Sequence, residues 1–257
     1  MTDDTMKRRR QFLGATATLV GLAGCTSSLP QSDNTTTPRS EPAQGDTRTG
    51  ESGGSLSYAS DETTGYGIDL QDNPILGSED ATVDIYYWTD YQCPFCNRFE
   101  QMTFPRLVDK QIQPGTVRFV VLELPNVGNA SETAARMSKC VWRQVRDDNP
   151  GAFKRWHSTV FDEQEKPNTG WASKSNLLDI TRSVDGVDAE AVQSCLKDEQ
   201  GSLKSSVSGD INTGKESDIS VTPGFILFNR ESEKAGKIVG AQPYKRFESS
   251  IQKIQNA

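Results

Sequence analysis

The chain has 257 residues, a formal net charge of −7 and only 34% hydrophobic residues. That length permits one or two domains, and the low apolar fraction means that part of the chain packs into no core. The acidic balance excludes a nucleic-acid binder, which needs a basic face, and suits a highly soluble surface or a salt-rich setting.

Lys7 to Arg10 is a basic cluster, and the small, apolar run Phe12 to Gly24 follows it. Such a run is too short to span a bilayer and reads as the apolar region of an export signal. Arg9 and Arg10, ahead of Gln11-Phe12-Leu13, resemble the twin-arginine export pattern. Leu22-Ala23-Gly24-Cys25 resembles a lipobox, which implies a signal over residues 1–24 and a lipid on Cys25. The alternative is a plain signal peptide with a chance cysteine. Residues 25–57 are dominated by Ser, Thr, Gly, Pro, Gln and Asp, with almost nothing to bury, and are expected to form a disordered tether. About 32 flexible residues reach roughly 30 Å.

Organised sequence is expected from Tyr58 to the end as one domain, residues 58–257. Asp69 to Gly77 reads as a short strand and turn, and Ala81 to Thr89 as a confident strand. Pro94 to Gln113 reads as a helix with Phe99, Met102, Leu107, Val108 and Ile112 on its apolar face, kinked at Pro105. Thr116 to Leu124 is a second strand, so the unit is βαβ with parallel strands. A mostly helical stretch, about 129–216, comes next. Within it Ala134, Met137, Val141 and Val145 recur at helical spacing, and Ala152 to Phe161, Ser175 to Val184 and Ala189 to Leu196 read as further helices. Gly224 to Asn229 and Gly236 to Gly240 form a hairpin, and Tyr244 to Ile254 a final helix. Without the helical insertion, the order is that of a thioredoxin-type core.

The first strand runs into TDYQCPFCNRF, where Cys93 and Cys96 are three residues apart. On a helix that spacing puts both sulfurs on one face. With Cys93 at the helix start and Pro94 as the first helical residue, the thiol meets unsatisfied backbone N–H groups and the positive end of the helix dipole. Both favour the thiolate, the reactive form, and Cys93 is expected to be the exposed nucleophile with Cys96 as the resolving thiol one turn in. A structural zinc pair would want four ligands in paired motifs, and Cys140 and Cys195 are single and far apart. The chain has one histidine, His157, beside Trp156, and it reads as structural.

TDYQCPFCNRFEQMTFPRL is similar to the DsbA-like branch of the thioredoxin superfamily, and VRFVVLELP, ASETAARMSKC, FKRWHSTVF, VTPGFILFN and GKIVGAQPYKRFESSI resemble later segments of that family. The resemblance covers about residues 66–256. It implies an α/β thioredoxin-like fold with a helical domain inserted between the βαβ half and the ββα half. It also implies that Cys93 is the nucleophile, Cys96 the resolving thiol, Pro223 a cis-proline facing the sulfurs, and Thr222 a residue whose backbone can pair with substrate. Pro94, Phe95 and Asp90 stand as active-site support. Thioredoxin's buried acid six residues before its first cysteine is replaced here by Tyr87, so Asp90 and Glu123 are the acids nearest to hand for proton transfer. Phe95 takes the place of DsbA's histidine between the cysteines, and Gly224 after the proline is less usual.

The implied activity is that of an extracytoplasmic, lipid-anchored thiol–disulfide oxidoreductase, with no cofactor and no metal. Its implied partners are exported cysteine-containing proteins and a membrane redox partner. Oxidase, isomerase and reductase directions all stay open. The alternative is a metal-binding or metallochaperone module using the same two thiols. With Cys25 assigned to lipid and two cysteines to the active site, Cys140 and Cys195 remain. Both fall on inward faces of expected helices, and in an exported protein they are expected to form a structural disulfide. Two unpaired buried thiols are the alternative.

Overall fold

The computed structural model describes residues 56–257; Arg9, Arg10, Cys25 and nearly all of the expected tether lie outside the described residues. Ser57, assigned to the tether on composition, belongs instead to strand β1 (Ser57–Tyr58), which pairs antiparallel with β2 (Ile75–Leu76).

Strand β3 (Val83–Thr89), VDIYYWT, is β-branched and aromatic and is buried at every position. Such a run is suited to the middle of a sheet with both faces covered. It lies between β4 (Val117–Glu123), parallel to it, and β5 (Gly224–Asn229), antiparallel. With β6 (Ala235–Val239) beside β5, the order is β1-β2-β4-β3-β5-β6. Alternation sends Val83, Ile85 and Tyr87 into one core and Tyr86 and Trp88 into the other.

The helix expected to run to Gln113 with a kink at Pro105 is broken outright, and earlier. It stops as α1 (Pro94–Met102), restarts as α2 (Phe104–Leu107) and ends in a π turn, Val108–Ile112. The joint is Thr103, two residues before Pro105. A proline has no N–H to give and clashes inside a helix, but fits the first turn of a new one. Thr103 secures the joint by donating its Oγ1 hydrogen to the Gln242 carbonyl at 2.9 Å. Met102 does not join the apolar face: it sits on the last turn before the break and is 68% exposed. Phe99 is the centre of that face. The rings of Tyr87, Phe104, Phe119, Phe225 and Phe247 surround it at centroid distances of 4.7 to 6.4 Å.

Between β4 and β5 lie α3 (Asn129–Val145), α4 (Gly151–Asp162), α5 (Lys174–Arg182), α6 (Ala189–Asp198) and α7 (Gln200–Glu216). α8 (Tyr244–Gln255) follows β6 and packs Phe247 and Ile251 into the same core as Phe99. Lys139 of α3 is fully buried. Its ammonium meets Asp210 Oδ2 of α7 at 2.6 Å, the Asp72 carbonyl at 3.1 Å and Asn73 Oδ1, which uses all three donors. Gly224 has a steric reason: a Cβ there would lie 2.4 Å from Cγ2 of Ile219.

Cys140 and Cys195 are joined by a disulfide that ties α3 to α6 across 55 positions of sequence. The double substitution Cys140→Ala, Cys195→Ala is expected to lower stability by roughly 4 kcal/mol, because the unfolded chain regains the closure entropy of a loop of that length. Urea unfolding of the variant beside the parent measures it. A loss under about 1 kcal/mol would show that the bond constrains little.

Candidate active site

The sheet delivers β3 to a turn over residues 90–93, and α1 begins at once. Cys93 is the residue capping α1, with φ −78° and ψ 117°, and Pro94 is its first helical residue. Asp90 shapes this approach. Its Oδ1 accepts the Gln92 N–H, and its Oδ2 accepts the N–H groups of Asn126 and Val127, all at 2.8 Å. Both oxygens are thus engaged in holding the turn against the loop after β4, which makes Asp90 a structural support. The turn is tied down from the other side by Gln164, whose Nε2 donates to the carbonyls of Tyr91 at 2.6 Å and Cys93 at 3.2 Å.

Both thiols are free. Cys93, expected to be exposed, is 4% exposed, while Cys96 is wholly buried beneath it. The covering comes from the neighbouring turn and from the segment before β5. The Cys93 Sγ–H donates to the carbonyl of Thr222 at 3.3 Å. The Thr222–Pro223 peptide bond is cis. Phe95, between the cysteines, is 53% exposed, with the Arg98 guanidinium over its ring at 4.9 Å. Val221, before the cis bond, is exposed as well.

Electrostatics separate the two thiols. Hydrogen bonding from the Cys96 thiol pulls Cys93 down to about 6, against the desolvation of burial. The side chain of Thr222, as distinct from its carbonyl, and the backbone N–H groups of Cys96 and Phe95 add to the pull. Cys96 goes the other way, pushed well above its ordinary value by burial and by the neighbouring Cys93. One sulfur is thus poised as a thiolate near neutral pH and the other holds its proton.

Glu123, the other acid singled out from sequence, ends β4 on the core side, fully buried, with neither oxygen in a well-formed hydrogen bond. Burial pushes its carboxyl up to about 8, against the attraction of Lys139.

Below Cys96 lies a group of polar side chains that motif reasoning did not reach. The Thr89 hydroxyl donates to Tyr87 Oη at 2.8 Å. His157 places Nε2 3.1 Å from Glu100 Oε1 and Nδ1 2.8 Å from Tyr91 Oη, which lies 3.2 Å from Ser138 Oγ. All six are buried. Their signals were the period-two pair Tyr87 and Thr89 on the site face of β3, and Glu100 one turn beyond Cys96 on α1.

A family model described as thioredoxin matches residues 69–253. Disulfide bond formation protein D of Bacillus subtilis is 28% identical over 154 residues, spanning 60% of this chain and 67% of that protein. Among solved structures, oxidised BdbD from Bacillus subtilis superposes with a TM-score of 0.63 at 26% identity, over 72% of this chain and 94% of that one. α-DsbA1 of Wolbachia pipientis has a TM-score of 0.61 at 19% identity, over 73% and 92% of the two chains, a likeness of fold.

Proposed function

Since the chain belongs to the thioredoxin family and is a DsbA-like thiol–disulfide oxidoreductase, we propose that Cys93 and Cys96 are its redox pair, that it acts on exported cysteine-containing proteins outside the cytoplasm, and that it runs as an oxidant. The observation that carries this reading is the position of Cys93: at a helix start, 3.3 Å from the Thr222 carbonyl, with Cys96 buried one turn behind it.

In the oxidised protein a substrate thiolate attacks the Cys93 sulfur. The Cys93–Cys96 bond breaks, Cys96 leaves with the electron pair and takes up a proton, and a mixed disulfide joins Cys93 to substrate. A second substrate thiolate then attacks the substrate sulfur of that bond. The substrate gains a disulfide and Cys93 departs as the thiolate that its surroundings favour. Because those surroundings stabilise the reduced form, they make the disulfide the better electron acceptor. The carbonyl of Thr222 borders the sulfur where the mixed disulfide forms, and the exposed Phe95 and Val221 give the substrate an apolar rim.

Equilibrating Cys93/Cys96 with glutathione tests the proposal. The expected potential is above about −200 mV, on the oxidant side of the known range. A value near about −270 mV, that of thioredoxin, would overturn the oxidant direction. Stoichiometric metal on the reduced protein with no thiol exchange would overturn the redox reading itself.

The lipobox supports a lipid anchor at Cys25 with export through Arg9 and Arg10, which would put the domain near a membrane redox partner. No helix of the described residues is long and apolar enough to cross a membrane. In a host with lipoprotein processing the chain is expected in the membrane fraction, and Cys25→Ser is expected to release it or block its maturation. Mass spectrometry that finds Cys25 unmodified in the mature protein would refute the anchor.

A further inference from the structure

Cys93 caps α1, so its side chain stands at the open end of the helix, where the first N–H groups have no acceptor within the helix. Those N–H groups favour a thiolate. How the sulfur meets them depends on one torsion. ψ of Cys93, 117°, sets the peptide plane that leads into α1 against the Cα–Cβ bond that carries the sulfur. The Cys93 carbonyl lies in that rigid plane, so whatever holds the carbonyl holds the sulfur against the helix start.

Two donors hold it. One is the N–H of Asn97 at 3.1 Å, the opening bond of the helix itself. The other comes from outside α1. Gln164 Nε2 donates to the Cys93 carbonyl at 3.2 Å and to the Tyr91 carbonyl at 2.6 Å. No backbone N–H of the described residues donates to the Tyr91 carbonyl. One amide group thus pins the turn before the nucleophile and at the nucleophile.

Gln164 is itself fixed in place. It follows α4, whose last turn is bound to α1: Asn97 Nδ2 donates to the Phe161 carbonyl at 2.5 Å, and Gln101 Nε2 to Asp162 Oδ1 at 2.7 Å. The loop beyond it is tied back from the turn. Gln92 Oε1 accepts the Asn168 N–H at 3.0 Å, while Gln92 Nε2 donates to Ser131 Oγ at 3.1 Å.

We propose that Gln164 is a positioning residue for the nucleophile, its amide holding the carbonyls of Tyr91 and Cys93 so that the Cys93 sulfur keeps its place at the start of α1. This role rests on the reading of Cys93 and Cys96 as the redox pair, and it makes the reactivity of that pair depend on the helical insertion.

The ionisable groups around the turn are few. Cys96 lies one turn along α1, and the Arg98 guanidinium stands over the Phe95 ring. Asp90, before the turn, has both oxygens taken by backbone N–H groups, and the segment before β5 offers the sulfur the Thr222 carbonyl. Gln164 carries no charge, so it acts on the thiolate through geometry and not as a neighbouring ion.

The test is the pH profile of Cys93 alkylation by iodoacetamide in the reduced protein. Gln164→Met keeps the length of the side chain and removes its N–H donors. The inflection is expected to move up by about 0.7 pH unit, a fivefold rise in the proton affinity of Cys93, which is the scale of one net hydrogen bond. The equilibrium with glutathione at pH 8 is expected to shift about fivefold toward the disulfide, because the reduced form has lost that support. A turn that is merely less stable would unfold at lower urea and keep both values. Asn168→Ala is the control: it drops the tie of the same loop to the Val127 carbonyl, leaves Gln164 in place, and is expected to keep the parent inflection. If Gln164→Met does not fold, Gln164→Ala, which opens this half-buried position to water, decides by the same shift. An unmoved inflection in a folded Gln164 variant would overturn the role. So would an equal move in Asn168→Ala, which would assign the effect to the loop as a whole. Labelling of Cys96 ahead of Cys93 in the unmodified chain would instead refute the redox assignment, and the role of Gln164 with it.

Discussion

Cys96→Ala is expected to convert the protein into a trap: Cys93 still attacks disulfides, but the resulting mixed disulfides persist. Cys93→Ala is expected to abolish exchange, by more than about 10³-fold, the scale on which losing a nucleophile acts. The asymmetry follows from position and environment. Cys93 meets the Thr222 carbonyl at 3.3 Å beside the exposed Phe95, where a partner sulfur can approach. Cys96 has no exposed surface. The thiolate is the attacking species, and Cys93 is lowered to about 6 while Cys96 is raised. Alkylation of the reduced protein should therefore label Cys93 alone, with a rate that climbs about tenfold per pH unit below pH 6 and levels off above it. An ordinary thiol, with a value of about 8.5, would still be climbing at pH 8. Peptide mapping after timed alkylation reads both the site and the profile. Labelling of Cys96 ahead of Cys93 at mildly acidic pH would reverse the assignment.

Strand and helix content was legible wherever one physical cause dominated. VDIYYWT can only be a buried strand, and the start of α1 at Pro94 follows from proline's fit to a first helical turn. The break at Thr103 was displaced from its expected place because Pro105 acts on the residues before it, which a helical apolar pattern does not record. The burial of Cys93 was hidden for a different reason. Its cover is Thr222, 129 positions away in sequence, brought there by the pairing of β5 with β3. The same holds for the support of the turn by Asn126 and Gln164, and for the meeting of Glu100 with His157 across 57 positions. Local pattern identifies the cysteines. Only tertiary pairing shows what holds their protons, and Asp90, near the motif in sequence, turns out to be fully occupied by backbone N–H groups.

Glu123→Gln is expected to stabilise the protein strongly at pH 8 and above and to change little at pH 4. The carboxyl is fully buried, and burial raises it from an ordinary value of 4.5 to about 8. Between those values the folded chain keeps a proton on Glu123 that the unfolded chain has released. The contribution of this group to stability is therefore whole below the unfolded value, declines as pH rises through the window, and is flat above about 8. A tenfold change in proton affinity is worth about 1.36 kcal/mol, so the ionisable side chain costs on the order of 5 kcal/mol once the window is passed. Glutamine has the shape of the protonated acid and cannot ionise, so it removes the slope while keeping the packing. Lys139 does not reverse the sign, because its ammonium retains Asp210 at 2.6 Å and the Asp72 carbonyl at 3.1 Å. Urea midpoints of both proteins from pH 4 to 9 give the comparison. The two curves should meet near pH 4 and separate steadily up to about pH 8. If Glu123 were instead an ionised partner of Lys139, the substitution would destabilise the protein at neutral pH, and the curves would separate in the opposite direction.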